Sequence, residues 1–83
     1  MDKHMTEKAY DIMKLAAQVS TTTKADVFVE YSGHVDLLTV RIHPEGFEGD
    51  SFKYDFYGNQ FDAVSEAKLD DIIGKLREML EVA

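Results

Sequence analysis

The spacing of apolar residues changes from a helical period to strict alternation and back again, and this pattern constrains the fold more than any other feature of the chain. Apolar residues recur three or four positions apart over residues 6–20, which predicts an amphipathic helix with Thr6 as its N-cap. We expect the polar, β-branched run at 21–23 to end this helix. Its core-facing side chains are predicted to be Met5, Ala9, Ile12, Met13, Ala16 and Val19.

Alternation with a period of two begins at Ala25 and predicts a β-hairpin followed by a third strand. Gly33 and His34 form the expected two-residue turn, with Gly33 at the position that needs a positive φ. This turn places Val29 opposite Leu38. After a loop that begins with a proline, the third strand covers residues 51–57. It is expected to present Phe52, Tyr54 and Phe56 to the core.

The last helix is predicted to start near Asn59, its expected cap, and to continue to about Glu81. A helix, a three-stranded antiparallel meander and a second helix allow one simple packing, in which both helices cover the same face of the sheet. The fold class is therefore α+β, a two-layer α-β-β-β-α arrangement forming a single domain over 1–83. The expected core is Ile12, Ala16, Val27, Val29, Leu38, Val40, Ile42, Phe52, Tyr54, Phe56, Leu69, Ile72, Ile73 and Leu76.

Size and charge narrow the functional classes. The chain has 83 residues and a net charge of −7. Because it has no cysteine, neither disulfides nor thiolate metal sites can reinforce its core. Nucleic-acid binders gather Lys and Arg on one face, and this composition argues against direct nucleic-acid binding. No apolar run approaches the length of a membrane span, which leads us to expect a cytoplasmic protein that does not bind membranes.

The residues that could carry chemistry do not form a recognisable pattern. His4, His34 and His43 are far apart in the predicted fold, and we expect three solvated histidines and no metal site. The loop glycines Gly46 and Gly49 lie among acidic residues, which disfavours a phosphate site. No serine is accompanied by a His-plus-acid pattern. We therefore expect a non-enzymatic protein without a cofactor.

Acidic residues of the loop after the second strand and of the last helix form the candidate partner-binding surface, and we expect these two segments to meet at the start of that helix. Carboxylates there could take the place of phosphates on a basic, nucleic-acid-binding surface of another protein. We expect Phe47 to fold back onto the core, and the alternative is that it anchors the partner. The predicted binding residues are Glu45, Phe47, Glu48, Asp50, Asp62, Glu66 and Asp70.

The sheet face opposite the helices offers a second way to bind a protein. Its apolar residues could form a modest symmetric interface, and the alternative function is a small structural or accessory protein that forms a homodimer. The residues expected at this interface are Phe28, Val35, Leu37 and Tyr57.

The order of elements resembles that of double-stranded RNA-binding domains, which are also α-β-β-β-α. Those domains carry a lysine cluster where the last helix starts, whereas this chain has Asp62, Ser65, Glu66 and a single lysine, Lys68. The resemblance implies the fold and not the ligand. In size, acidity and absence of cysteine the chain also resembles small acidic phage and prophage proteins. This second resemblance implies an inhibitor or decoy that occupies a nucleic-acid site on a host protein.

Overall fold

A computed structural model describes residues 1–82, and Ala83, the last residue of the expected domain 1–83, lies outside the described residues. The three strands form one antiparallel sheet in which they lie in sequence order, and this confirms the predicted α+β fold class and element order. The elements are α1 (Lys3–Thr22), β1 (Asp26–Ser32), β2 (Leu37–His43), β3 (Phe52–Tyr57), a 3₁₀ turn (Gly58–Gln60) and α2 (Ala63–Val82).

Helix α1 begins earlier and ends later than the sequence pattern predicts. Asp2 is its N-cap, since its side chain accepts a hydrogen bond of 2.7 Å from the N–H of Met5. Thr6, the predicted cap, lies inside the first turn. At the other end, the hydroxyls of Thr21 and Thr22 donate to the carbonyls four residues back. These bonds keep Thr21 and Thr22 in the helix, which ends within the predicted run, with Thr23 as its C-cap.

The hairpin of β1 and β2 is two residues out of the predicted register. Val29 lies opposite Val40 and not opposite Leu38, because the connection holds the four residues 33–36. The positive φ falls on Asp36, at 50°, and not on Gly33. Since side chains alternate along a strand, a shift of two residues leaves each one on its predicted face. The predicted sheet face of each side chain in this hairpin is therefore correct, although the predicted turn is wrong.

Both helices pack on the same face of the sheet, and one hydrophobic core joins α1, α2 and all three strands. Most of the predicted core is buried, with Val27, Val29 and Tyr54 partly buried against it. Phe52 is the exception. It is the first residue of β3 and is 47% exposed, although the ammonium of Lys75 in α2 lies 4.9 Å from its ring centroid.

The packing of α1 also departs from its predicted stripe. Met13 is 52% exposed, whereas Leu15 is buried and was not expected in the core. Ala25, which links α1 to β1, is buried as well. The helix is therefore rotated relative to the predicted stripe, so that the side of α1 carrying Met13 is turned to solvent.

Candidate functional site

The loop at 44–51 between β2 and β3 has a defined conformation. The N–H of Gly46 donates to the carbonyl of His43 (3.1 Å), and the N–H of Gly49 donates to the carbonyl of Gly46 (3.0 Å). Gly46 has a φ of 102°, a conformation that side-chain-bearing residues rarely adopt. An ion pair between Lys24 and Glu45 ties the loop to the connection between α1 and β1. The loop is therefore held at both its start and its centre.

This loop places Phe47 on the sheet face that the helices leave open. The Phe47 ring centroid lies 5.9 Å from that of Phe28 and 5.6 Å from that of His43. We call these three residues the aromatic cluster. Phe47 is nevertheless 65% exposed, so the expectation that it folds back onto the core is wrong. The guanidinium of Arg41 stacks on Phe28, with its central carbon 4.9 Å from the ring centroid.

The aromatic cluster buries an imidazole that the sequence did not single out. His43 is 7% exposed, and neither ring nitrogen has a hydrogen-bond partner among residues 1–82. The expectation of a solvated histidine is therefore wrong at this position, because Phe28 and Phe47 cover the ring. Buried polar groups normally find a partner, and one that does not is often found at a site of function. The alternation that puts His43 on the open face, four residues before Phe47, was the only signal in the sequence.

The carboxylates of the loop differ in how they are engaged. Glu45 is paired with Lys24, as described above. Glu48 and Asp50 are exposed and form no ion pair with any residue in the range 1–82. These two carboxylates follow Phe47 in the loop and are free to meet the charges of another molecule.

The carboxylates of α2, by contrast, serve the fold. The side chain of Asp62 accepts a hydrogen bond of 2.8 Å from the N–H of Ser65 at the start of α2, and this bond lowers the pKa of Asp62. Asp62, and not Asn59, is therefore the cap of α2. Glu66 lies 3.1 Å from the imidazole of His4, across the helix pair.

Lys8 of α1 links the same helix pair through Asp70. The Lys8 ammonium donates to the Asp70 carboxylate and lies 3.9 Å from Glu66. The hydrogen bond to Asp70 raises the pKa of Lys8. Glu66 and Asp70 thus have basic partners on α1 and contribute less free negative charge than their number suggests.

The two predicted acidic segments do not meet where we expected. The loop adjoins Phe52, at the first residue of β3, whereas Asp62 follows Tyr57, at its last residue. A six-residue strand is about 17 Å long, at about 3.4 Å per residue. Lys68 lies over Tyr54 and Lys75 over Phe52, so that α2 runs back towards the loop. The loop is therefore nearer to the later turns of α2 than to its start.

The four residues of the expected dimer interface are also divided. Phe28 lies in the aromatic cluster at one end of the open face. Leu37 and Tyr57 are opposite each other at the other end, beside the turn that holds Val35. A polar row separates the two ends, in which the hydroxyl of Thr39 donates to Asp55 (2.8 Å). The four residues do not form one continuous apolar patch.

Asp36 connects three parts of the chain and was not predicted to do so. Its carboxylate accepts hydrogen bonds from the Met1 amine (2.7 Å) and from the Tyr31 hydroxyl (2.6 Å). These bonds, the first of them above all, lower the pKa of Asp36, and the bond to Asp36 raises the pKa of Tyr31. The carbonyl of Asp36 accepts from the N–H of Gly58 (2.8 Å).

Residues 1–82 contain no cluster of metal-ligating side chains and no helix that could cross a membrane. No three His, Asp or Glu side chains in this range are grouped so that they could hold a metal ion. Neither described helix has both the length and the apolar character needed to cross a bilayer. Comparisons of the chain with models of protein families, with curated proteins and with solved structures give no match.

Proposed function

We propose that this chain is a non-enzymatic protein-binding module whose binding surface is the loop at 44–51 with the aromatic cluster beneath it. The observation that carries the proposal is Phe47, a large apolar side chain that is 65% exposed yet held in place by a structured loop. Aromatic anchors of this kind supply much of the energy of protein interfaces. Because the loop is already ordered, binding costs little additional conformational entropy.

The charges around Phe47 favour a basic partner. Glu48 directly follows the anchor in the loop, and Asp50 comes after Gly49. Neither carboxylate has an ion-pair partner within residues 1–82. A partner surface with an apolar pocket bordered by Lys or Arg would bury Phe47 and pair with these carboxylates. Surfaces that bind the phosphates of nucleic acids have this basic character. The function proposed is therefore that of an inhibitor or decoy that occupies such a surface, as some small acidic phage proteins do.

The unpaired imidazole of His43 also supports a binding surface at the aromatic cluster. A buried imidazole without a hydrogen-bond partner costs stability, and a partner group that reached it would recover part of that cost. The rings of Phe47 and His43 lie 5.6 Å apart and Phe47 is exposed, so displacement of the Phe47 ring on binding would uncover that side of the imidazole. The cluster can thus contribute both apolar contact and one specific hydrogen bond.

Affinity capture with matched charge variants tests the proposal. The protein is immobilised and exposed to a cell lysate at about 50 mM and about 300 mM salt, since exposed charges are screened over about 8 Å near physiological ionic strength. The test variants are Phe47→Asp and the double variant Glu48→Lys, Asp50→Lys. The control is the double variant Glu7→Lys, Asp71→Lys, which makes the same change in net charge on the two helices, where both residues are exposed.

We expect wild type and the control to capture the same protein at low salt, the captured protein to be a nucleic-acid-binding one, and both test variants to lose it. Higher salt should weaken the capture. Equal recovery by wild type and the loop double variant would contradict the proposal, as would capture of no protein by the wild type.

A further inference from the structure

The outer edge of β1 has backbone groups that no other strand uses. The N–H of Val27 donates to the side chain of Ser20 (3.0 Å), so it points away from β2. In an antiparallel pair, alternate residues face the neighbouring strand and the outside. The N–H and C=O groups of Val29 and Tyr31 therefore also point outward. Exposed edges of this kind pair readily with another strand.

An apolar groove runs beside this edge. Its volume is about 420 Å³, and it is lined mainly by apolar side chains of α1 and of the sheet, among them Ala9, Tyr10, Met13, Tyr31 and Leu38. Tyr10 is 66% exposed and Met13 is about half exposed, although both are large and lie on the helix that covers the sheet. The groove and the free edge are adjacent because Tyr31 belongs to both.

The opposite edge of the sheet differs. Along β3, the ammonium groups of Lys68 and Lys75 lie over the rings of Tyr54 and Phe52. Charged side chains over an edge discourage strand addition. A second chain would therefore meet lysines at β3 and apolar side chains at β1.

We propose that the β1 edge and its groove bind a second copy of this chain, with the two β1 strands antiparallel about a two-fold axis at Val29. The two sheets become one six-stranded sheet, and Met13 and Tyr10 of each copy pack against the α1 helix of the other. An isologous interface requires a surface that is complementary to itself. On the helix side of β1, the Val27 side chain meets Tyr31 of the second copy and the two Val29 side chains meet each other. The Val27 N–H keeps its bond to Ser20. The new strand pairing therefore consists of the bonds between the two Val29 residues and the bond from each Tyr31 N–H to the Val27 carbonyl of the other copy.

The acidic residues of β1 select this axis over its neighbours. An axis at Glu30 would place the two Glu30 side chains directly opposite each other. An axis at Phe28 would place Glu30 opposite Asp26. Like charges that face each other across a strand pair are destabilising. With the axis at Val29, Glu30 lies opposite Phe28 of the second copy, whose ring carries the Arg41 guanidinium at 4.9 Å. Each Glu30 then lies near a basic group, and Asp26 lies opposite the uncharged Ser32 of the second copy.

The dimer proposed here does not depend on the function proposed above. The loop at 44–51 with Phe47 lies on the other face of the sheet, and it remains exposed in both copies. Phe28 is the member of the aromatic cluster that belongs to β1, and it lies beside Glu30 of the second copy. Pairing at β1 would give a particle with two copies of the Phe47 surface. Two linked surfaces can bind a repetitive partner more tightly than one.

Analytical ultracentrifugation over a wide range of protein concentration tests this interface. Wild type is expected to reach twice the chain mass. The variant Met13→Lys places an ammonium in the interface and should weaken association by more than about tenfold. The control Val64→Lys makes the same change on α2 at a residue that is 76% exposed, and it should associate like wild type. Circular dichroism verifies that both variants fold.

Amide hydrogen exchange gives a second readout that needs no substitution. The amides of Val29 and Tyr31 should become more protected as the protein concentration rises. A wild type with the mass of a single chain at every concentration would overturn the proposal. So would a dimer that Met13→Lys leaves intact, a dimer that both lysine variants weaken equally, or protection at Val29 and Tyr31 that does not change with concentration.

Discussion

The N–H of Gly58 donates a hydrogen bond of 2.8 Å to the carbonyl of Asp36, and the Asp36 carboxylate occupies the space next to the Gly58 α-carbon. The hairpin turn and the end of β3 are thus joined at a position that has no room for a side chain. This contact fixes the turn of the hairpin against the rest of the sheet.

Gly58→Ala is therefore expected to destabilise the protein. A Cβ at this position would overlap the Asp36 carboxylate, and such overpacking costs about 1–3 kcal/mol. The free energy of unfolding from urea denaturation measures the effect. Gly33→Ala is the control, because the nearest atom to its Cβ would be 3.8 Å away, at Tyr31. A smaller loss for Gly58→Ala than for Gly33→Ala would contradict the contact.

Asp36 also makes stability depend on pH. Its pKa is below its ordinary value of 3.8 in the folded state, because the carboxylate accepts bonds from the Met1 amine and the Tyr31 hydroxyl. A depressed pKa contributes stability above the ordinary pKa, and this contribution is lost as the pH falls through the folded pKa. Asp36→Asn should therefore be less stable than wild type at neutral pH.

The difference between wild type and Asp36→Asn should shrink as the pH falls below 3.8. Urea denaturation at a series of pH values measures it. A difference that is the same at neutral and at acidic pH would show that the carboxylate charge contributes nothing.

Much of the fold follows from periodicity alone. The alternation of Val27 and Val29 places both on the helix side whatever the turn length, because the observed register differs from the predicted one by two residues. The turn itself could not be predicted from its glycine. Its positive φ belongs to Asp36, whose side chain is held by groups that are distant in sequence, such as the Met1 amine.

The candidate site was also only partly predictable, because part of it depends on contacts between elements that are distant in sequence. Glu48 and Phe47 could be identified from a charged loop with an aromatic residue between glycines. The pairing of Glu66 and Asp70 with Lys8 depends on how the helices pack, which a single sequence does not encode locally. The burial of His43 under Phe47 depends on the path of a loop around a proline.

Gly74 in α2 offers a stabilising substitution. Nothing lies within 4 Å of the position that a Cβ would occupy, and the residue is exposed. Replacing glycine by alanine inside a helix gains about 1 kcal/mol. We expect Gly74→Ala to raise the free energy of unfolding by that amount. A destabilised Gly74→Ala protein would reveal a close approach to this helix face that the packing of residues 1–82 does not contain.

Side-chain truncation in the core should cost more stability than truncation at Phe52, the first residue of β3. Leu76 is fully buried, and Leu76→Ala is expected to cost about 2–5 kcal/mol. Phe52→Ala should cost less, because the Phe52 ring is about half exposed and contacts a lysine. Urea denaturation of both variants measures the difference. An equal or larger loss for Phe52→Ala would contradict the observed packing of α2 on the sheet.

The binding surface itself is tested most directly by mapping amide chemical shifts of the isotope-labelled protein during titration with the partner that it captures. If Phe47 is the anchor, the largest changes should fall on the loop at 44–51 and on Phe28 and His43. Phe47→Asp should abolish these changes. Changes confined to the start of α2, around Asp62 and Glu66, would contradict the proposed surface.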